Sequence, residues 1–148
     1  LERHVASSHG IKLVADLMLD DADLASYTVV FLPGGMPGTL RLKENAQVRA
    51  EVVRRAEASL KLAAICAAPS ILAELGVLEG RRATANPGFM DALSSGGAQA
   101  QSECVVVDGN IVTSRGAGTA LELGLELVRQ LLGDEAAQQV RESIVWQH

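Results

Sequence analysis

Leu60-Lys61-Leu62-Ala63-Ala64-Ile65-Cys66-Ala67-Ala68-Pro69 is the stretch that decides the fold class. Residues 60–65 form a short apolar run and read as a strand buried on both faces. Pro69 suits the first turn of a helix, where a missing N–H costs no bond, and Gly76 stops that helix after Leu75. Cys66 therefore stands at the turn from strand to helix. Its neighbours Ala64, Ala67 and Ala68 are small, as a sharp, close-packed turn requires. Two readings of the cysteine stand side by side here. The amides at a helix start favour an anion, which suits a thiolate acting as nucleophile or redox group. Free cysteine is also a common small buried hydrophobe.

The same alternation extends outward in both directions. Upstream, residues 27–32 (YTVVFL) read as a buried strand stopped by Pro33-Gly34-Gly35. Residues 45–59 carry Val48, Val52, Val53 and Ala56 on one face of an amphipathic helix, with charged residues between. Residues 11–17 read as extended, ahead of the acidic Asp20-Asp21-Ala22-Asp23. Downstream, the pattern predicts a helix over 69–75, a short strand over 82–85, and a short helix over 88–93 before a flexible Ser94-Ser95-Gly96-Gly97. Asp108-Gly109-Asn110 between 104–107 and 111–114 signals a hairpin. Helices follow over 119–132, with Leu121, Leu125, Val128 and Leu132 on one face, and over 134–145. Strands alternating with helices predict an α/β fold: a doubly wound, mostly parallel sheet with helices on both faces and a late β-hairpin.

Composition sets the outer bounds. The 148 residues fit one domain, 1–148. Apolar residues make up 48% and aromatics only 3%, so the core is built from Ala, Val, Leu and Ile. A net charge of −5 argues against a nucleic-acid partner. No apolar run reaches the roughly 18 residues of a membrane span, and no signal peptide is visible. Two cysteines far apart in unlike contexts predict free thiols and a cytoplasmic location.

In a doubly wound sheet, ligands sit at the carboxyl ends of the strands. Pro33-Gly34-Gly35, Cys66 and Ser114-Arg115-Gly116 all fall there and are expected to converge. Gly34 and Gly35 would let the backbone approach a ligand and offer an N–H to an oxyanion, or simply make a turn. The glycines around Arg115 fit neither the Walker spacing nor the dinucleotide fingerprint, so Arg115 is read as a polar brace beside the site. Cys104 is read as structural. His4, His9 and His148 lie in terminal or loop segments, and no Cys/His spacing suits a metal, so neither metal nor cofactor is expected. Trp146 is expected to dock the last helix or a partner subunit.

Residues 62–69 (LAAICAAP) resemble the nucleophile elbow of the ThiJ/PfpI superfamily, in the branch of the parkinsonism-associated deglycase and the bacterial protein YajL. Residues 30–35 (VFLPGG) are similar to its glycine turn, and 112–119 (VTSRGAGT) to its late strand-to-helix signature. Ala67 stands where the peptidase branch has a His, which disfavours a peptidase. The downstream His and Glu of glutamine amidotransferases are absent. The resemblance implies a flavodoxin-like sandwich, a homodimer, and a reactive Cys66 with an oxyanion pocket at the amides of Gly35 and Ala67. Gly34, Asn86 and Arg115 complete the expected substrate site. The implied activity is cofactor-free, glyoxalase- or deglycase-type conversion of methylglyoxal, glyoxal or their adducts on glycated protein. Redox sensing with chaperone-like activity at the same cysteine is the alternative, and a small-substrate hydrolase a third.

Three departures from the branch bear on these expectations. The branch carries its proton-handling glutamate on a first βα unit with no counterpart here, so an incomplete N-terminus, or a partner piece, is expected. Asn86 occupies a position where some members have a His, and an amide cannot serve as a base. His9 stands where the branch has an Arg near the dimer interface. Imidazole changes charge near neutrality and guanidinium does not.

Overall fold

The structure, a computed structural model, describes residues 3–147; His148 lies outside them. In chain order the strands are β1 (His4–Ala6), β2 (Lys12–Val14), β3 (Val29–Leu32), β4 (Lys61–Ile65), β5 (Arg82–Ala83), β6 (Gln99–Ala100), β7 (Val105–Asp108) and β8 (Ile111–Ser114). The helices are α1 (Gly38–Glu44), α2 (Ala46–Glu57), α3 (Pro69–Glu74), α4 (Met90–Ser95), α5 (Ala120–Leu132) and α6 (Asp134–Ser143). The main sheet has the order β3-β4-β8-β7. Its first three strands are parallel, and β7 joins β8 as an antiparallel hairpin. This is the expected α/β, flavodoxin-like arrangement.

The period of two along β4 sends alternate side chains to opposite faces. Leu62 and Ala64 join Val48 and Val52 of α2 and Ile71 and Leu72 of α3 in one cluster. Ala63 and Ile65 join Val112, Leu123 and Leu127 in the other. A central parallel strand must be covered on both sides, and the alanines let the helices come close. Among the described residues β3 is an edge strand, and its Phe31, directed to the α5 side, is 45% exposed.

Several expectations are corrected. The extended stretch at 11–17 contributes only β2, which pairs with the unforeseen β1, where His4 lies. The strand at 82–85 shortens to β5, paired in parallel with β6. A 3-10 turn, Pro87–Phe89, precedes α4, and α4 absorbs Ser94 and Ser95, read above as flexible. The pairing of Asp108 with Ile111 leaves a two-residue turn that opens on Gly109 at φ 60°. On α5 the residues facing the sheet are Leu123 and Leu127, while Leu121 and Leu132 are exposed. Trp146 is partly buried behind α6, its N–H bonded to the carbonyl of Arg141 at 3.0 Å.

The largest correction concerns α2, whose buried face is Val48, Glu51, Val52 and Arg55. Arg55 is 0% exposed. Its guanidinium donates to Glu51 Oε1 at 2.7 Å, to the carbonyls of Lys61 (2.9 Å), Leu24 (3.0 Å) and Thr28 (3.3 Å), and to that of Tyr27. Its planar fork thus ties α2 to the entry of both β3 and β4. Asn110 Nδ2 reinforces the same corner by donating to Leu60 O at 2.7 Å. Hydrogen bonding from Arg54 holds Glu51 below the usual carboxylate range against the opposing effect of burial, with Arg55 adding to it.

Removing one partner of a buried, hydrogen-bonded ion pair leaves the other unsatisfied. Arg55→Leu is expected to lower the unfolding free energy by about 3–5 kcal/mol in urea titration. For Glu51 the lowered folded-state value means that the pair stabilises the fold above the ordinary carboxylate range. That contribution is lost as pH falls through the lowered value. Wild type should therefore exceed Glu51→Gln in stability at neutral pH, and the two should converge on acidification. A gap that persists unchanged at acid pH would refute the charge pairing.

Candidate active site

Cys66 follows the last residue of β4 and carries φ 66°, the left-handed region that a side chain rarely adopts. Such a backbone costs about 1–3 kcal/mol and persists only where its surroundings hold it. Here Cys66 N–H donates to Ser114 O at 2.9 Å, and Cys66 O accepts from Asn86 N–H at 2.9 Å. Both the β8 end and the 86–89 turn thus grip the Cys66 position.

Gly34 supplies the space. A Cβ on Gly34 would lie 2.5 Å from Cys66 Cβ and 2.7 Å from Ile65 O, so only glycine fits beneath the elbow. The parallel register Leu32↔Ala64 brings the 33–35 turn alongside it. Gly35 turns at φ 93°, again a conformation suited to glycine. Among the described residues, neither Gly35 N–H nor Ala67 N–H donates to a protein acceptor, so both amides are free beside the thiol.

Cys66, Gly34 and Gly35 share a cleft of about 600 Å³. Phe31, Ile65, Leu123 and Leu127 give it apolar walls, and Ser8 and His9 reach it from the β1–β2 turn. Three of the sequence-derived candidates, Ala67, Asn86 and Arg115, do not line it. Arg115 donates from Nη1 to Ser102 O at 3.1 Å. Asn86 Oδ1 accepts from Gly88 N–H at 3.1 Å, so that side chain caps the 86–89 turn. Its position is nevertheless tied to Cys66 through the backbone. Cys104 is an exposed free thiol whose carbonyl accepts from Ser114 Oγ at 2.8 Å.

The late signature is folded by Thr119, whose hydroxyl bridges Gly116 N–H (3.0 Å) and Ser114 Oγ (2.7 Å). That bridge sets the entry of α5, whose first turns wall the cleft. The elbow, glycine turn and late signature are thus joined in one corner of the sheet. A profile of the DJ-1/PfpI family matches residues 2–130. The chain belongs to this family.

Protein DJ-1 homolog A of Arabidopsis thaliana is 43% identical over 138 residues, 92% of this chain and 35% of that protein. A glutathione-independent glyoxalase of Caenorhabditis elegans is 30% identical, covering 88% of this chain and 69% of its own. A deglycase of Pyrococcus abyssi is 35% identical, covering 86% and 76%. The chain therefore spans about a third of the plant relative and more of the others. In structure, DJ-1beta of Drosophila melanogaster superposes with a TM-score of 0.93 at 32% identity, over 99% of this chain and 78% of that one.

Ser8 and His9, exposed on the β1–β2 turn, line the cleft and are not among the expected site residues. No local spacing signals their approach.

The close fit at Gly34 makes a direct prediction. Gly34→Ala must displace Cys66 or the Ile65 carbonyl. It is expected to cost about 1–3 kcal/mol, as core overpacking does, and to slow alkylation of Cys66 by iodoacetamide. An unchanged thermal melt together with an unchanged alkylation rate would show that the elbow yields freely.

Proposed function

We propose that this DJ-1/PfpI chain performs cysteine-dependent glyoxalase or deglycase chemistry on small α-oxoaldehydes such as methylglyoxal and glyoxal, or on their adducts. The observation that carries the reading is the strained Cys66 elbow with two free amides beside it. Relatives named as a glyoxalase and a deglycase support it.

Cys66 as thiolate adds to the aldehyde carbon, and the carbonyl oxygen becomes an alkoxide. Gly35 N–H and Ala67 N–H, which have no protein acceptor, would donate to that oxygen. Fixed amide donors act most strongly on charge that develops during reaction. Protonation of the alkoxide gives a hemithioacetal. A base then removes the proton on the former aldehyde carbon, and a proton returns to the neighbouring carbon. The product is a thioester on Cys66, and water releases the hydroxy acid and restores the thiol. The sum is methylglyoxal plus water giving lactate, with no net oxidation. Gly34 serves by letting the elbow exist, and Asn86 and Arg115 by bracing it.

The intact protein is expected to produce lactate from methylglyoxal, and Cys66→Ser to lose that production by at least ~100-fold, the scale on which single catalytic groups act. Equal rates would sink the reading. A redox sensor using the same thiol would instead make no lactate while peroxide oxidised Cys66 ahead of Cys104, as read by mass spectrometry.

The homodimer belongs to the same proposal. Val5, Ile11 and Leu13 on the β1–β2 hairpin are each more than half exposed, an apolar face suited to a second copy. Leu13→Asp is expected to shift the sedimentation coefficient from dimer to monomer. A wild-type monomer at micromolar concentration would overturn this.

A further inference from the structure

Cys66 is held at both its backbone groups, its N–H by Ser114 O (2.9 Å) and its carbonyl by Asn86 N–H (2.9 Å). Those two partners come from different parts of the fold. Ser114 ends β8 in the main sheet. Asn86 follows β5, whose ladder partner is β6 and not a strand of that sheet. Two grips hold a strained backbone only if they are fixed to each other.

Side chains supply that link. At the start of β5, Arg82 N–H donates to Asp108 Oδ2 at 3.0 Å, and Arg82 Nη2 to Val107 O at 3.1 Å. Nearer the elbow, Thr84 N–H donates to Thr113 Oγ1 at 2.9 Å. Thr113 directly precedes Ser114 and lies beside Ala64 of β4. It shares the strand face of Ile111, which belongs to the sealed cluster with Leu62 and Ala64. A hydroxyl in such a core costs stability unless it is bonded. Thr113 is 1% exposed and Thr84 0%. Thr84 Oγ1 is itself buried without a protein partner. Loss of the Thr113 hydroxyl would strand the Thr84 N–H as well, leaving two unpaired buried groups on one residue.

The bonds close a ring. Cys66 N–H reaches Ser114 O, and Thr113 is the next residue back along β8. Thr113 Oγ1 accepts from Thr84 N–H, the chain runs through Ala85 to Asn86, and Asn86 N–H returns to Cys66 O. Within this ring Thr113 Oγ1 is the member that a side chain contributes. We propose that Thr113 is a positioning residue for Cys66: its buried hydroxyl closes the ring around the strained peptide and so sets where the thiol stands in the cleft. For turnover this role rests on the glyoxalase-type reading of Cys66; for thiol reactivity it does not.

The test uses the intact protein, with iodoacetamide as the probe of Cys66 at fixed pH and lactate formation from methylglyoxal as the probe of turnover. Thr113→Val keeps the branched shape and loses the hydroxyl. Thr113→Ser keeps the hydroxyl and loses the methyl group. Thr113→Ala lacks both, so it differs from Thr113→Ser by the hydroxyl alone. Thr113→Val and Thr113→Ala are expected to slow Cys66 alkylation by ~10-fold and to lower kcat by ~10- to 100-fold, the range that misplacement of a reacting group produces. KM should change by less than about threefold. Thr113→Ser should stay within about threefold of wild type in both rates, a rescue that loss of packing would not allow. Val52→Ala, which removes volume from the same sealed cluster away from the ring, should lower the melting temperature and leave the alkylation rate of the folded protein unchanged.

Alkylation that is unchanged or faster in Thr113→Val and Thr113→Ala would overturn the role of Thr113. So would Thr113→Ser as slow as Thr113→Ala, or Val52→Ala as slow as either. Should Thr113→Val not fold, the Ser and Ala variants decide by the same comparison. If wild type makes no lactate, the proposed activity fails, and the alkylation rates still decide whether Thr113 positions the thiol.

Discussion

The structure turns on a missing side chain. Gly34 lies so close under Cys66 that a single methyl group there would fall 2.5 Å from Cys66 Cβ. That vacancy lets the chain leave β4 in a left-handed turn instead of running straight into α3. The turn lifts the thiol out of a strand whose preceding residues are sealed in the core. The strain at Cys66 is held by bonds that arrive from two other elements, the end of β8 and the 86–89 turn. An elbow built this way is rigid because it is over-determined, not because any one bond is strong.

Such a fit works only if β3 and β4 keep their register. A shift by one residue would put Gly34 beside the wrong atom and turn each side chain of β3 to the opposite face. Arg55 guards against that at the far end of the two strands. Its donors are shared among carbonyls on the entry to β3 and the first residue of β4, and Glu51 balances its charge from within α2. A hydrophobic residue at this position could fill the space, but it could not satisfy those carbonyls. The cost of burying a guanidinium is offset by this set of bonds, and the arrangement specifies which strand ends meet.

What the sequence reveals and what it hides follow from the range of the forces involved. β3, β4, α2 and α5 are legible because long-range burial imposes a local period on their residues. β1, β5 and β6 are two or three residues long, too short for any period to announce them. α1 begins at Gly38, a poor helix former, and its seven residues are too few to show a helical period. Arg55 is one of the charged residues between the apolar ones of α2, yet it lies seven residues after Val48 and three after Val52, on the core stripe. A charged residue in that register is itself a signal of a buried pair. Cys66, Gly34 and Gly35 were legible because strand ends and turn glycines are local features. His9 was not, because its approach depends on how a short exposed hairpin folds back over the sheet.

The two faces of the sheet divide the work. On one side α2 and α3 seal the core around Leu62 and Ala64, with Val52, Ile71 and Leu72 fully buried. On the other, α5 covers Ala63 and Val112 but leaves Phe31 and the cleft in front of Cys66 open. Cys66 belongs to the boundary between them. Its backbone is fixed from the sealed side, and its thiol is presented to the open one. Apolar walls on the open side leave polar contacts to a few groups. Changes on the sealed face should therefore act first through stability, and changes around the cleft through chemistry. Gly34 is the position where the two effects cannot be separated.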